Sequence, residues 1–351
     1  MENQQELDSF FMKRCIDLAL QGEGRSYPNP MVGAVIVHNN KIIGEGFHRK
    51  AGEAHAEVIA VNSVKDRRLL KEATIYVSLE PCSHHGKTPP CATLLSEEKI
   101  PRVVVGCVDT FSQVAGRGIE QLRASGAEVV CGVREEECRE LNKRFFTFHE
   151  KKRPYIILKW AETRDGFLDI DRQAVKGNRP TWITSQYARR AVHLWRSREQ
   201  AILVGSVTAL KDNPGLKVRD WSGAHPLRLV LDRGNTLPDD LALFNGDCPT
   251  LLFTSALKND KKIAERVIVK PGKEPTDAII EELYNRDIQS LIVEGGAGLL
   301  SHFIQRGLWD EARVFVGDIE FGKGVEAPKL RCLPRGSKQF DNSILYLYRN
   351  I

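Results

Sequence analysis

His55, Glu57, Cys82 and Cys91 constrain this chain most, because two separate segments must bring them to one point if they are to act together. One imidazole and two thiolates make three ligands of the kind zinc takes. A structural zinc site closes with a fourth protein ligand, whereas a catalytic site leaves that position to water or substrate, and no fourth cysteine falls at this spacing. Glu57, two residues from His55, is the natural acid/base for a water polarised there. Two thiolates cancel the ion's double positive charge, so such a water is less acidified than at an all-histidine site and the carboxylate must take its proton. Residues two apart do not share a helical face, so His55 and Glu57 are expected in the first turn of a helix whose N-terminus points at the metal. Cys82, after Pro81, is expected at a second helix N-terminus, where the dipole favours thiolate. Singly, His55 reads as a satisfied core or surface histidine and Cys82 as a small buried apolar residue. It is the ordered set, with Pro81, that points to a metal site.

A length of 351 residues against about 150 per domain gives two domains, 1–150 and 151–351, joined near the polar run Glu150-Lys151-Lys152-Arg153-Pro154. The net charge of +5 comes from 51 basic and 46 acidic residues mixed along the chain, without a long single-sign run. That gives little support to a nucleic-acid partner and weak support to anionic small substrates. No stretch approaches the ~18 apolar residues of a membrane helix, and the polar Met1–Glu6 start carries no secretory signal pattern. A cytoplasmic enzyme without nucleic-acid or membrane partners is expected. Apart from the two proposed ligands, Cys15, Cys107, Cys131, Cys138, Cys248 and Cys332 read as reduced structural thiols.

Apolar spacing predicts a helix over 10–20 and a hairpin of 32–37 with 41–46 turning at Asn39-Asn40. Strands at 75–79, 102–107 and 127–131 alternate with helices near 91–99 and 116–125, a three-layer α/β pattern on a mixed sheet. One charged helix from Glu135 to about His149 closes the domain. The second domain repeats the α/β alternation, with strands at 155–160, 200–205, 227–232, 249–253, 266–269, 290–294 and 312–316 and helices near 185–197, 276–285 and 298–306. Its strand 290–294 runs into Gly295-Gly296-Ala297-Gly298, which suits either a phosphate at a helix N-terminus or a tight structural turn. Little is legible beyond about residue 325.

The His-x-Glu…Pro-Cys pattern resembles the signature of zinc deaminases of bases and nucleotides. Here eight residues, not two, separate the cysteines. This longer form, with Pro28–Ala34, Gly46-Phe47-His48, Asp109 and Val114–Gly118, resembles the deaminase half of the bifunctional deaminase/reductase family of riboflavin biosynthesis. The resemblance implies substrate contacts at Asn29, His48, His84, Lys87 and Asp109, the basic His84–Lys87 loop meeting a phosphoribosyl group; Phe111 stands where the family often has Asn. Residues 155–320 resemble the reductase half, through Lys159-Trp160-Ala161, Trp182–Ser185, Ala201–Gly205, Asp212-Asn213-Pro214 and Val293–Gly296. This implies a cytidine-deaminase-like first domain and a dihydrofolate-reductase-like second one. It implies NADPH at Trp182, Thr208, Asp212, Gly296, Ala297 and Gly298, and substrate at Arg196, Leu216, Arg219 and Glu294. Glu162, Pro180 and Arg233 depart from the family pattern: Glu162 near a cofactor phosphate would repel it, while Arg233 would attract the 2′-phosphate. A phosphoribosyl pyrimidine as small-molecule substrate, one zinc per chain and a homo-oligomer complete the expectation. Three other readings are weighed: a nucleic-acid-editing deaminase, which needs a basic groove with aromatic platforms; zinc as a fold staple; and a reductase with a degenerate deaminase half.

Overall fold

The computed structural model describes residues 4–83, 89–110, 116–170, 182–256 and 263–350, and the chain divides into two compact units, Met1–Lys152 and Arg153–Ile351. In the first, Gly33–His38 (β1), Lys41–Phe47 (β2), Thr74–Leu79 (β3), Arg102–Cys107 (β4) and Glu128–Cys131 (β5) form one sheet in the order β2-β1-β3-β4-β5. β1 runs antiparallel to β2 and β3, and β3, β4 and β5 are parallel. Asn39 and Asn40 turn the hairpin with φ of 49° and 58°, the paired left-handed conformation that a two-residue β-hairpin needs and asparagine tolerates.

Successive strand residues point to opposite faces, so apolar runs buried on both sides build two cores. Ile36, Ile75, Val77, Val103 and Val105 meet Ala56–Ser63 (α2) and Cys91–Glu97 (α3) on one face; Val35, Tyr76 and Val104 meet Gln4–Ala19 (α1) on the other. Helix α2 lies directly on β2, because a Cβ at Gly46 would sit 2.4 Å from the Ala56 carbonyl oxygen. Arg117–Ala124 (α4), Glu135–Leu141 (α5) and Lys143–Lys151 (α6) complete the unit. The single helix expected over 135–149 is thus two. Asn142 breaks it with φ −105° and ψ 24°, and its amide accepts from Met31 N at 2.8 Å and donates to Met31 O at 2.9 Å. That two-way bond to another segment replaces helical continuity.

The second unit carries a nine-stranded sheet. Tyr155–Thr163 (β6), Ala201–Gly205 (β8), Leu227–Leu231 (β9), Thr250–Thr254 (β10), Glu265–Ile268 (β11), Ser290–Val293 (β12) and Glu311–Gly317 (β13) are parallel to their neighbours, and Gly336–Phe340 (β15) and Ser343–Arg349 (β16) add an antiparallel edge. The order is β11-β10-β9-β8-β12-β6-β13-β16-β15, with Phe167–Ile170 (β7) and Gly324–Glu326 (β14) pairing separately. Gln186–Arg198 (α7), Ser206–Asp212 (α8), Pro275–Asn285 (α9) and Ala297–Gln305 (α10) cover the sheet. The elements beyond residue 325, unread in sequence, include β16, whose Leu345 packs with Phe315 of β13 and Ala188 and Val192 of α7. Among the described residues no helix is long and apolar enough to cross a membrane.

Candidate active sites

His55 is the extended residue that caps α2, with φ −71° and ψ 162°, and Glu57 follows in the first turn. His55 Nδ1 lies 3.5 Å from Cys82 Sγ and 3.3 Å from Cys91 Sγ, and the three ligand atoms fall within 4.8 Å of one another. Tetrahedral zinc, with Zn–N of about 2.0 Å and Zn–S of about 2.3 Å, separates such atoms by about 3.5 Å. The donor set therefore fits the ion in both chemistry and spacing. Cys82 departs from expectation in one respect: it lies in irregular chain, and the helix N-terminus belongs to Cys91, the first residue of α3. The eight residues between the cysteines separate Cys82 from that helix, yet it caps α3 from outside. Its Sγ accepts from Cys91 N at 3.3 Å and its carbonyl from Ala92 N at 3.1 Å. Bonding to Cys91 and His55 outweighs burial and holds the Cys82 thiol down to about 4.

Glu57 is only 3% exposed. Burial, reinforced by Cys82, pushes its carboxyl up to about 7, where one group both accepts and releases a proton at neutral pH. His48 stands beside His55, ring centroids 5.4 Å apart and nearly perpendicular. Its Nδ1 faces the Ala54 carbonyl at 3.2 Å and its Nε2 the Asn29 amide nitrogen at 3.1 Å, which assigns the proton to Nδ1 and leaves Nε2 as acceptor. Burial lowers the His48 pKa, favouring the neutral ring. Asp109 is buried, and its N–H donates to Glu80 Oε2 at 3.2 Å. His84, Lys87 and Phe111 lie outside the described residues.

In the second unit a cleft of about 530 Å³ opens at the carboxyl ends of β8 and β12, the usual ligand position for parallel sheets. It collects Trp182, Arg196, Thr208, Asp212, Leu216, Arg219, Glu294, Gly296 and Ala297. Arg233 and Gly298 line a second cleft of about 620 Å³, which shares Gly296 and Ala297 with the first. Gly296 caps α10 without a side-chain bond, so the first N–H groups of that helix are available to a phosphate. A Cβ at Gly296 would come 3.1 Å from Thr208 Oγ1, which explains how the turn closes against α8.

Arg196 and Glu294 are engaged with each other: Nε and Nη2 reach the two carboxylate oxygens at 2.8 and 2.6 Å, while Nη1 reaches the Lys217 carbonyl at 3.3 Å. Lys159 Nζ adds a contact to Glu294 at 3.9 Å. Burial alone would raise Glu294, but Arg196 and Lys159 outweigh it and hold the carboxyl at about 2. Glu162, which departs from the family pattern and would repel a cofactor phosphate if near one, lines neither cleft; it accepts from the Trp160 indole at 2.7 Å. Pro180 lies outside the described residues. Among the six remaining cysteines, Cys131 is exposed and Cys332 partly so, while the rest are buried.

Three residues that sequence reasoning missed hold these sites. Glu80 bonds Asp109. Arg228, fully buried on β9, donates to the carbonyls of Gly215, Ala242 and Cys248 at 3.4, 3.1 and 2.6 Å. His193 Nδ1 accepts from Arg219 N at 3.2 Å. Leu216 is buried with φ of 49°, an unusual conformation for a branched side chain, and these contacts fix the loop around it. The Glu80 signal was present in its position before Pro81-Cys82, but backbone bonds to distant residues leave no spacing pattern.

Together the fold and sites define a two-unit enzyme, a zinc deaminase joined to a reductase. Residues 5–107 match the family described as the cytidine and deoxycytidylate deaminase zinc-binding region, and residues 154–345 match the RibD C-terminal domain. The chain is 40% identical over 327 residues to the riboflavin biosynthesis protein RibD of Aquifex aeolicus, covering 91% of this chain and 89% of that one. It is 37% identical over 328 residues to RibD of Escherichia coli, covering 88% and 87%. Its fold is similar to a Thermotoga maritima diaminohydroxyphosphoribosylaminopyrimidine deaminase/5-amino-6-(5-phosphoribosylamino)uracil reductase, at TM-score 0.88 and 37% identity over 99% of this chain and 100% of that one. Acinetobacter baumannii RibD gives TM-score 0.87 at 32% identity over 99% of each chain. The chain belongs to the RibD family, the bifunctional deaminase/reductases of riboflavin biosynthesis.

Proposed function

We infer that residues 1–150 remove the 2-amino group of 2,5-diamino-6-(5-phosphoribosylamino)pyrimidin-4(3H)-one by hydrolysis, and that residues 151–351 then reduce the ribosyl group of the product to ribityl with NADPH. The observation that carries this reading is the convergence of His55, Cys82 and Cys91 at zinc-ligand spacing beside the buried Glu57. These three residues would hold one zinc, which when bound would polarise a water, less strongly than at an all-histidine site, and leave Glu57 to take its proton. Glu57 takes one proton from water and passes it to the ring nitrogen next to the amino-bearing carbon as the C–O bond forms; it then takes the remaining proton of the added hydroxyl and gives it to the leaving nitrogen as C–N breaks, the carbonyl forms and ammonia departs. The Asn29 amide N–H₂ serves His48, leaving its oxygen to accept from the pyrimidine. Asp109, His84 and Lys87 complete the substrate contacts.

In the second unit NADPH would supply the reducing equivalents. The cofactor spans both clefts, with its phosphates at Gly296, Ala297 and Gly298, and with Trp182, Thr208 and Asp212 along the first cleft. Arg233, exposed at the second cleft, suits the 2′-phosphate. Arg219, exposed at the first cleft, takes the substrate phosphate, and Leu216 and the Arg196–Glu294 pair border its sugar and ring. The free thiols at the proposed ligands suit a reducing, cytoplasmic setting. A homo-oligomer without nucleic-acid partners belongs to the same reading, and light scattering with and without single-stranded RNA or DNA tests it. The chemistry is tested by incubating protein with the diamino substrate, with and without NADPH, and following ammonia and cofactor absorbance separately. Ammonia is expected in both arms and NADPH oxidation only after it; oxidation without ammonia would contradict the reading.

A further inference from the structure

Helix α4 begins without a cap of its own. Its N-cap residue is Gly116, left-handed at φ 84°, with no side chain to receive the first N–H groups, which a helix leaves unpaired. Glu80, 36 positions earlier and 4% exposed, fills that role from the end of β3. Its Oε1 accepts from Gly118 N at 3.0 Å and Ile119 N at 3.4 Å, and its Oε2 from Gly116 N at 3.0 Å and Asp109 N at 3.2 Å. One buried carboxylate therefore receives four backbone N–H groups and needs no cation. The chain is built for this approach: a Cβ at Gly118 would lie 2.0 Å from the Pro81 carbonyl oxygen, so glycine alone lets α4 come this close.

The consequence for the site follows from register. Leu79 of β3 pairs with Cys107 of β4, and Glu80 N donates to Cys107 O at 3.0 Å. Glu80-Pro81-Cys82 and Val108-Asp109 thus leave the sheet side by side. We propose that Glu80 is a positioning residue of the deaminase: its carboxylate sets Asp109 and the start of α4 against the segment that carries Cys82, so that substrate contacts and metal ligands share one frame. The inference rests on the deaminase reading above.

Glu80→Gln preserves size but turns one acceptor oxygen into an N–H₂ donor facing backbone N–H groups. A misplacement of about 1 Å in a positioned contact can cost about 100-fold, and a loss of about 10- to 100-fold is expected in kcat/KM for ammonia release, with most of it in KM. Zinc content should stay at the parent value, and NADPH oxidation on the deaminated intermediate should stay within about 2-fold of the parent. Glu80→Asp, which keeps the charge, should fall between the two. A purely structural role would lower Tm and leave KM unchanged in the cold. Parent-like kcat/KM in Glu80→Gln would overturn the proposal, as would an activity loss that merely follows zinc loss. Should Glu80→Gln not accumulate as folded protein, Glu80→Asp decides: raised KM at full zinc supports the proposal and parental KM overturns it. The parent assayed in parallel separates the two failures, because a parent that releases no ammonia sinks the deaminase reading itself.

Discussion

The two units hold their sites with buried charges of opposite sign. In the first, Glu80 gathers four backbone N–H groups; in the second, Arg228 gathers three backbone carbonyls. The difference follows from what each site is made of. Two of the proposed zinc ligands, His55 and Cys91, stand at the starts of α2 and α3, and helix starts present unpaired N–H groups that an anion satisfies. In the second unit Gly215, in the loop after α8 that lines the first cleft, turns its carbonyl toward Arg228 together with those of Ala242 and Cys248, and converging carbonyls call for a cation with several donors. A buried charge therefore takes its sign from the backbone it serves, and neither Glu80 nor Arg228 needs an ion-pair partner to be tolerated. The Arg196–Glu294 pair is the contrasting case, because there each charge depends on the other.

That contrast can be broken by substitution. The largest effect is expected at the metal: parent protein should carry about one zinc per chain, and Cys82→Ser should lose most of it together with ammonia release, as metal analysis and a coupled ammonia assay would show. Next is Arg196→Met, which leaves Glu294 buried without its main partner and should cost roughly 3–5 kcal/mol in the second unit. All five tryptophans lie in that unit, so a fluorescence-monitored denaturant melt reads it selectively; an unchanged midpoint would mean that Glu294 does not depend on Arg196. Arg228→Lys keeps the charge but loses the fork and should cost about 1–3 kcal/mol, with a raised KM for reduction and none for deamination. Equal change in both activities would break the assignment of Arg228 to the second site.

The smallest expected effect is in pH. Glu294 is held at about 2, below the roughly 4.3 of an unfolded glutamate. Its contribution is therefore complete above that unfolded value and is lost as pH falls through the folded one. Tryptophan-monitored stability should decline from about pH 4.5 downward, and Glu294→Gln should flatten the decline. A slope identical in both proteins would assign it to other carboxylates.

Legibility in the sequence divides along the same line. The proposed zinc triad and Glu57 could be read from residue type and order because metal chemistry restricts both, and the structure brings the triad's ligand atoms within 4.8 Å of one another. Strands such as Val103–Val105, buried on both faces, were visible as apolar runs. Side-chain bonds to backbone were not visible, since Glu80, Asn142 and Arg228 act on residues to which no periodicity links them. The break at Asn142 and the external capping of α3 by Cys82 belong to this class. Arg196 and Glu294 were legible as cleft residues, but 98 positions of separation hid that they meet. The β15–β16 hairpin was missed although Ile344, Leu345, Tyr346 and Leu347 are strand formers, because exposed partners such as Lys338 gave β15 no apolar face.

The central claim, two chemistries on separate groups in a fixed order, is tested most directly by Glu57→Gln. The substitution keeps the side chain's size and leaves all three proposed zinc ligands in place, while a positioned acid/base contributes about 10²–10⁴-fold. Ammonia release should fall by at least that range at full zinc content. Given the deaminated intermediate, the variant should oxidise NADPH at nearly the parent rate; given the diamino substrate, it should oxidise almost none. Brisk NADPH oxidation on the diamino substrate would contradict the account.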